Sequence, residues 1–438
     1  MAPSIALILF LIAVALTVII SEKLHMNIGL VGFAFAFILG IGFCGYSSGQ
    51  MAGFFPSSIF VTQLSVTFFF GFISSTGFFK GVGDRVIYAF RNNTKAIPFV
   101  LAIAAYCVGA LGAGNEATPL VISPLAFAFA LEAGFDPVIS AMAVYGGSCW
   151  GGSLPWTSGA MLFGFCQSAI GEEAGTKAMW AALIGLFIVF WVMMLADFFI
   201  FGGTKMKKGA QLNIKEPEPF TELQKKGLWM TVIFIILVIG PSMLKTFTGL
   251  PIFATLARIL DIRLVSLVMA LIGIVMKLGD YKDVFKNRIP WGLLVMLGGM
   301  CTLMNVAGSM GVVQMLGDWI GNKVPVALVP AAFCLLGGLL SFITNGLTLW
   351  PMFTAMVPTM AAASGLNPIY LCCMAMVGSM PSGVSPISTG GAMATIGFDD
   401  EARTKVFWKQ MLVAAVGVVF NVIFTLLGGY KLICSFFI

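Results

Sequence analysis

Charge is scarce in this sequence: Asp, Glu, Lys and Arg together make up 10% of its 438 residues, against roughly a quarter in ordinary soluble domains. A chain so poor in charge cannot dress a water-facing surface, which excludes a soluble globular protein. Histidine is scarcer still. The single copy, His25, falls at a predicted membrane interface, where a solvated loop position is expected. No HExxH pair, no Walker motif and no histidine inside an apolar run are present, so a membrane-embedded enzyme lacks its nucleophile, base or metal cluster. No enzyme activity is expected, and no cofactor beyond Na+ as a coupling ion. Zinc or redox spacing is missing too: of nine cysteines, Cys107, Cys149, Cys334, Cys372 and Cys373 lie in apolar stretches and read as small membrane-core residues. The first apolar run, 6–20, has no basic n-region and no convincing cleavage site, so it reads as a span and not as a removable signal.

What is abundant is hydrocarbon. Hydrophobic residues reach 59%, with 40 Phe and 51 Gly, and the apolar runs near bilayer length leave room for about ten spans in an all-α polytopic membrane protein. The net charge of +6 sits in short loops between apolar runs, so it reports topology and no nucleic-acid partner. Spans are expected at 5–20, 27–45 and 58–76. An amphipathic surface stretch follows (GFFKGVGDRVIYAFRNN), then an interrupted segment at 97–135, an interrupted span at 137–170 and an intact one at 178–201. Residues 203–227 are the only long polar segment. After them the order returns: 228–244, 264–277, 289–307, a surface stretch near GVVQMLGDWIGN, interrupted segments at 324–364 and 368–398, and a final span at 406–430.

The two halves repeat in residue detail. Gly83-Asp84 answers to Gly317-Asp318, Asn115 and Thr118 to Asn345 and Thr348, Gly134 and Pro137 to Gly365 and Pro368, Gly147-Ser148 to Gly378-Ser379, and Pro155 to Pro386; the offset stays between 230 and 234. Basic residues collect near 80–95, in the linker, at 277–288 and at 403–409, and these loops are expected to be cytoplasmic, with both termini outside. Each half then holds an odd number of spans, five, and the second is inserted upside down. The expected organisation is a first inverted repeat at 1–202, a cytoplasmic linker at 203–227 and a second repeat at 228–438, each with a re-entrant hairpin and a broken helix, the architecture of many secondary transporters.

Four polar breaks interrupt the apolar runs: 112–119, 146–159 (GGSCWGGSLPWTSG), 344–351 and 378–391 (GSMPSGVSPISTGG). Non-helical backbone survives at membrane depth only where protein or a wet cavity satisfies it. Prolines 155, 381 and 386 break the helix, and freed amides suit an anion while freed carbonyls and Ser, Thr or Asn oxygens suit sodium. None of the breaks contains Lys or Arg, so a bound anion would rely on dipoles and neutral donors. Asn115, Thr118, Thr157, Ser158, Asn345, Thr348, Ser388 and Thr389 are the candidate substrate contacts. Asn115, Glu116, Ser148, Ser153, Asn345, Ser379 and Ser385 are the candidate cation contacts. Against these stand plainer roles, with Asn115 and Asn345 capping helices and the hydroxyls bonding helix to helix. Glu132 and Asp136 mark the inner end of the first hairpin, and Asp84 and Asp318 lie on solvated faces of surface helices.

The paired hairpin tips and Ser/Thr-Pro breaks resemble the ion transporter superfamily, which includes the divalent anion:sodium symporters. MNIGLVGFAFAFILG, AGFFPSSIFVTQLSVT and above all SPISTGGAM are similar to stretches of the malonate carrier MatC branch. The resemblance implies a homodimer, a scaffold with a moving transport subdomain, elevator-type alternating access and a small dicarboxylate substrate. Divalent anion:sodium symporters carry Ser-Asn-Thr at both tips, whereas this chain has Gly114-Asn115-Glu116 and Thr344-Asn345-Gly346; only the Asn positions, with Thr118 and Thr348 nearby, carry over.

The function expected is a symporter of the cytoplasmic (inner) membrane for a C3–C4 dicarboxylate such as malonate, succinate or malate, coupled to sodium or protons. The alternative is a cation/proton antiporter using Glu116, which the absence of a second acid at Gly346 weakens. A carboxylate at mid-membrane costs at least ~2.5 kcal/mol, so Glu116 either binds the coupling cation, carries a proton, or sits at the mouth of the hairpin and does neither.

Overall fold

The computed structural model describes residues 3–24, 26–89, 94–205, 216–248, 250–312, 315, 323–342 and 346–438, and among them there is no strand. The chain runs through α1 (Pro3–Leu24), α2 (Ile28–Phe37), α3 (Ser57–Ser75), α4 (Phe78–Ala89), α5 (Ile97–Val108), α6 (Gly114–Ala133), α7 (Pro137–Gly152), α8 (Ala160–Ile170) and α9 (Glu172–Ile200). Beyond the linker come α10 (Glu222–Thr248), α11 (Pro251–Ile259), α12 (Ile262–Val275), α13 (Trp291–Ser309), α14 (Val329–Ser341), α15 (Gly346–Ser364), α16 (Pro368–Ser379), α17 (Thr389–Ala394) and α18 (Asp400–Leu426).

Five helices among the described residues are long and apolar enough to cross a membrane: α3, α9, the Glu222–Pro241 part of α10, α13 and α18. The other apolar segments are shorter helices, several of them halves of the interrupted segments the sequence indicates. Large apolar side chains such as Leu11, Ile236, Leu271, Leu339 and Ile423 are exposed, as suits a multi-pass protein whose solvent is hydrocarbon.

Two sets of helices divide the chain. In the flanking set, α2 crosses α13 at backbone contact: a methyl group at Gly299 would fall 1.8 Å from the Gly29 carbonyl oxygen, which is the close approach that small residues permit between membrane helices. Helix α3 packs on α12 and on the turn at Val284–Arg288. The hairpin set gathers α5–α9 and α14–α18. Its two halves meet where the Tyr145 hydroxyl donates to the Met380 carbonyl and where Ser123 Oγ donates to the Met393 carbonyl at 3.3 Å.

Several details differ from the sequence expectation. The tips are narrower than 112–119 and 344–351: Gly112 (φ +111°) and Gly114 (φ +67°) make the first reversal, and the helices resume at Gly114 and Gly346 with Pro119 and Pro351 inside them. Glycine, which tolerates positive φ, turns the chain; each proline, one turn into its helix, leaves the carbonyl four residues back without its usual donor. Helix α11 was not anticipated, because its nine residues are too few to register as a span. Asp84, expected on a solvated face, is half-buried, and burial raises its carboxyl above the ordinary value despite nearby Lys80 and Arg85. His25 and Asp318 lie outside the described residues.

Asp136 does mark the end of the first hairpin. It caps α7 by accepting from the Val138 amide at 3.1 Å and pairs with Lys409 of α18. Nearby is a group the sequence reading passed over, Asp197 of α9, which is 1% exposed, within electrostatic reach of Asp136 and without a partner for its Oδ2. Lys409 pairs with Asp136, the acid that Asp197 faces. Lys409→Met should cost about 1–3 kcal/mol, between the values for exposed and buried pairs, read as a lower melting temperature of the detergent-solubilised protein; an unchanged melt would show that the pair holds nothing together.

Candidate functional site

Each tip packs against the broken helix that follows it. In the first half, the α7 end and the α5 end cross so closely that a methyl at Gly151 would lie 2.4 Å from the Tyr106 carbonyl oxygen. Trp156 Nε1 donates to the Ala110 carbonyl at 2.8 Å, pinning the break to the tip. Asn115 then sits on Gly152, where a methyl would come within 2.1 Å of Asn115 Oδ1. That oxygen is buried and has no hydrogen-bond partner. Pro119, which has no N–H, also cannot donate to the Asn115 backbone carbonyl. Asn115 thus offers a side-chain oxygen without a partner among the described residues, at the N-terminal end of a helix whose first amides have no carbonyl ahead of them.

The Gly152 carbonyl is the hub of the same break. It accepts from Thr157 Oγ1 at 2.6 Å and from Ser158 Oγ at 3.1 Å, so three of the expected contacts, Asn115, Thr157 and Ser158, do converge. Thr118 lies within this site but its hydroxyl turns back to the Gly114 carbonyl at 2.7 Å. Ser148 and Ser153 bond one turn back, to the Tyr145 and Cys149 carbonyls at 3.0 and 2.6 Å, and serve their own helix in this conformation.

The second half repeats the contact with other partners. Ser385 Oγ donates to the Phe342 carbonyl at 2.9 Å, tying break to tip. Ser379 accepts from Trp350 Nε1 at 2.7 Å, a bond that locks α15 onto α16. Ser388 caps α17, accepting from the Gly390 amide at 3.3 Å, and Thr389 beside it is exposed. Asn345 lies outside the described residues, as do the side chains of Thr348 and Glu116. Two hydroxyls missed from sequence, Ser341 and Ser382, are buried here with no partner among the described residues; they were hard to see because small hydroxyls are common in membrane helices.

A cavity of about 530 Å³ is bounded by the tip at Gly112–Gly114, by Ser158 of the break, by Val66, Thr67, Phe70 and Ser74 of α3, and at its mouth by Asp283, Asn287 and Arg288. Arg288 amends the expectation that only neutral donors are at hand, since the flanking set supplies a cation where the breaks have none. Its Nη1 donates to Ser74 Oγ and its Nε to Asp283 Oδ2, each at 3.3 Å. Asp283 is held below the ordinary carboxylate value by Asn287, which donates at 2.7 Å, and then by Arg288. The pairing is therefore complete at neutral pH and lost only on strong acidification.

At the other end of α3 a second cavity, about 410 Å³, is lined by Ser58, Ile59 and Thr62 facing Met161 and Gln167, with Arg263 and Asp261 at its edge. Arg263 grips both oxygens of Asp261, at 2.7 and 2.9 Å, and donates to Ser58 Oγ at 3.1 Å. The Arg263 hydrogen bond holds the Asp261 carboxyl below its ordinary value. One helix thus has an arginine-bearing cavity at each end. No group of His, Cys, Asp and Glu among the described residues could hold a metal ion.

Residues 1–152 match the family described as the dicarboxylate carrier protein MatC N-terminus, and residues 173–434 match the sodium:sulfate symporter transmembrane region. Compared by sequence with curated proteins, the chain matches none. The solved structures that share its fold include two transporters. The Alcanivorax borkumensis YdaH transporter superposes with a TM-score of 0.56 at 15% identity, over 88% of this chain and 86% of its own. Neisseria gonorrhoeae MtrF, described as illuminating a class of antimetabolite efflux pumps, superposes with a TM-score of 0.58 at 15% identity, over 89% of this chain and 84% of its own.

Proposed function

This chain belongs to the sodium:sulfate symporter transmembrane family, whose match spans residues 173–434, and on that footing we propose that it carries a C3–C4 dicarboxylate across the cytoplasmic membrane in symport with sodium or protons. The observation that carries the reading is the cavity of about 530 Å³ in which the Gly112–Gly114 tip, Ser158 of the break and Arg288 face one space, with Asn115 next in the chain and packed on Gly152. Its volume is that of a small-molecule site. A dianion is met there by helix-end amides, by the Ser158 hydroxyl, which donates to the Gly152 carbonyl, and by one guanidinium. The match of residues 1–152 to a dicarboxylate carrier favours an organic diacid over sulfate.

In this reading the substrate contacts are Asn115, Thr157 and Ser158, with Asn345, Thr348, Ser388 and Thr389 from the second half, and Thr118 after its hydroxyl rotates away from Gly114. The coupling cation takes oxygens of Asn115 and Ser153 in one half and of Asn345 and Ser385 in the other, while Ser148 and Ser379 shape the breaks. The halves 1–202 and 228–438 are inverted repeats joined by the linker 203–227. The hairpin set moves as an elevator against the flanking set of a homodimer, exposing the site by turns; the cavities at the two ends of α3 support such a path.

Thermal-shift screening of the purified protein against malonate, succinate, malate, citrate and monocarboxylates, with and without sodium, tests the reading. Stabilisation by a C3–C4 diacid is expected, and stabilisation by lithium or sodium alone would favour an antiporter instead. The coupling ion is decided separately. Glu116→Gln should flatten the pH or cation dependence of uptake in proteoliposomes. The Asp261 and Asp283 carboxyls, both depressed, add no pH dependence between about pH 6 and 8, so an unaltered profile in the variant would remove Glu116 from coupling.

A further inference from the structure

The two cavities are separated, along α3, by a single turn. Ile59 and Thr62 line the one beside Arg263, and Val66 and Thr67 line the one beside Arg288. Between them stands Gln63. It is 0% exposed, and neither its Oε1 nor its Nε2 has a hydrogen-bond partner among the described residues.

The face that carries Gln63 can be read from helical spacing. Ile59, Gln63, Val66 and Phe70 fall at i, i+4, i+7 and i+11 and lie along one stripe. At one end of the stripe Ile59 abuts α8, where a methyl at Gly164 would sit 3.6 Å from its Cγ1. At the other end Phe70 abuts the first tip, where a methyl at Gly112 would overlap its ring at 1.9 Å. The stripe is thus the surface that the flanking set turns toward the hairpin set. Gln63 is at its middle, between the contact of Ile59 with α8 and that of Phe70 with the first tip.

A carboxamide in that place is costly, because a buried amide without partners forfeits the full desolvation of both its donor and its acceptor. Leucine or methionine would fill the space without that cost. A diacid crossing between the cavities supplies what the amide lacks, a carboxylate oxygen for Nε2 and, from a hydroxyl or a protonated carboxyl, a donor for Oε1. We propose that Gln63 is a fixed substrate contact on the flanking set, engaged as the anion passes from one cavity to the other. This rests on the dicarboxylate reading above. Gln63 then acts on the crossing and not on initial capture, which belongs to the hairpin set.

The test compares wild type with Gln63→Leu and Gln63→Met in proteoliposomes, using labelled malonate and succinate, alongside melting curves with and without each diacid. Both variants remove an unpaired amide, so their melting temperatures should equal or exceed that of wild type. The malonate-induced thermal shift should persist, while the maximal uptake rate falls about tenfold or more, the loss of one polar contact made only during crossing. Uptake within twofold of wild type in both variants would overturn the proposal. So would a clear drop in melting temperature in both, since that would mean the amide is already satisfied inside the protein. Failure of wild type itself to bind or move either diacid would bring down the dicarboxylate reading and this contact with it.

Discussion

Gly112→Ala is expected to abolish transport, with uptake down roughly 100-fold or more, by a double steric effect. The backbone at Gly112 has φ +111°, where a Cβ is strained, and the added methyl would lie 1.9 Å from one carbon of the Phe70 ring and 2.2 Å from two others. Phe70 belongs to α3 and Gly112 to the first tip, so the methyl wedges apart the two sets at the floor of the cavity. The two contributions can be separated. Phe70→Leu in the same chain relieves the clash and leaves the strain, so the double variant should recover part of the lost uptake, and the remainder measures the backbone term. Full recovery would mean that the left-handed turn is dispensable, and no recovery that the contact with Phe70 is.

Asn115→Ala is expected to lower uptake by about 10- to 100-fold, the loss that follows removal of a polar partner from a charged ligand. The Oδ1 has no partner among the described residues, so the variant should melt at or above the wild-type temperature. Loss of transport without loss of stability is the signature of a ligand contact. A helix-capping role would show the reverse, a lower melting temperature with transport reduced only in proportion. Measuring uptake and melting on the same preparation separates the two, and a variant that keeps wild-type uptake would remove Asn115 from the site.

Much of this was legible because membrane solvent makes strong demands on sequence. Asn115 stood out because a polar group inside an apolar run needs a partner or a ligand, and the repeat offset located its counterpart break without any structure. The breaks at 153–159 and 385–388 were likewise marked by proline beside glycine and hydroxyls. Their edges were harder to place: Pro119 and Pro351 looked like part of the interruptions, but both lie inside helices that begin at Gly114 and Gly346, because positive-φ glycine and not proline makes the first turn.

What could not be read was the neighbour across the interface. Arg288 falls in a loop where a basic residue is already explained by topology, and nothing local says that it reaches Ser74 and the mouth of the cavity. Asp136 and Lys409 are separated by more than 200 residues and become an ion pair only when the start of α7 and α18 pack, with the buried Asp197 of α9 in electrostatic reach of Asp136. Gln63 is a lone polar residue in a helix of phenylalanines and hydroxyls. Only the stripe it shares with Ile59 and Phe70, and the absence of a partner, set it apart.

The measurement that bears most directly on the account is gradient-driven uptake by the purified protein in proteoliposomes, with labelled malonate or succinate outside and an imposed inward sodium or proton gradient. The account predicts accumulation of the diacid above its external concentration, collapsing when the gradient is dissipated. Exchange of sodium or lithium for protons with no movement of any carboxylate would contradict it.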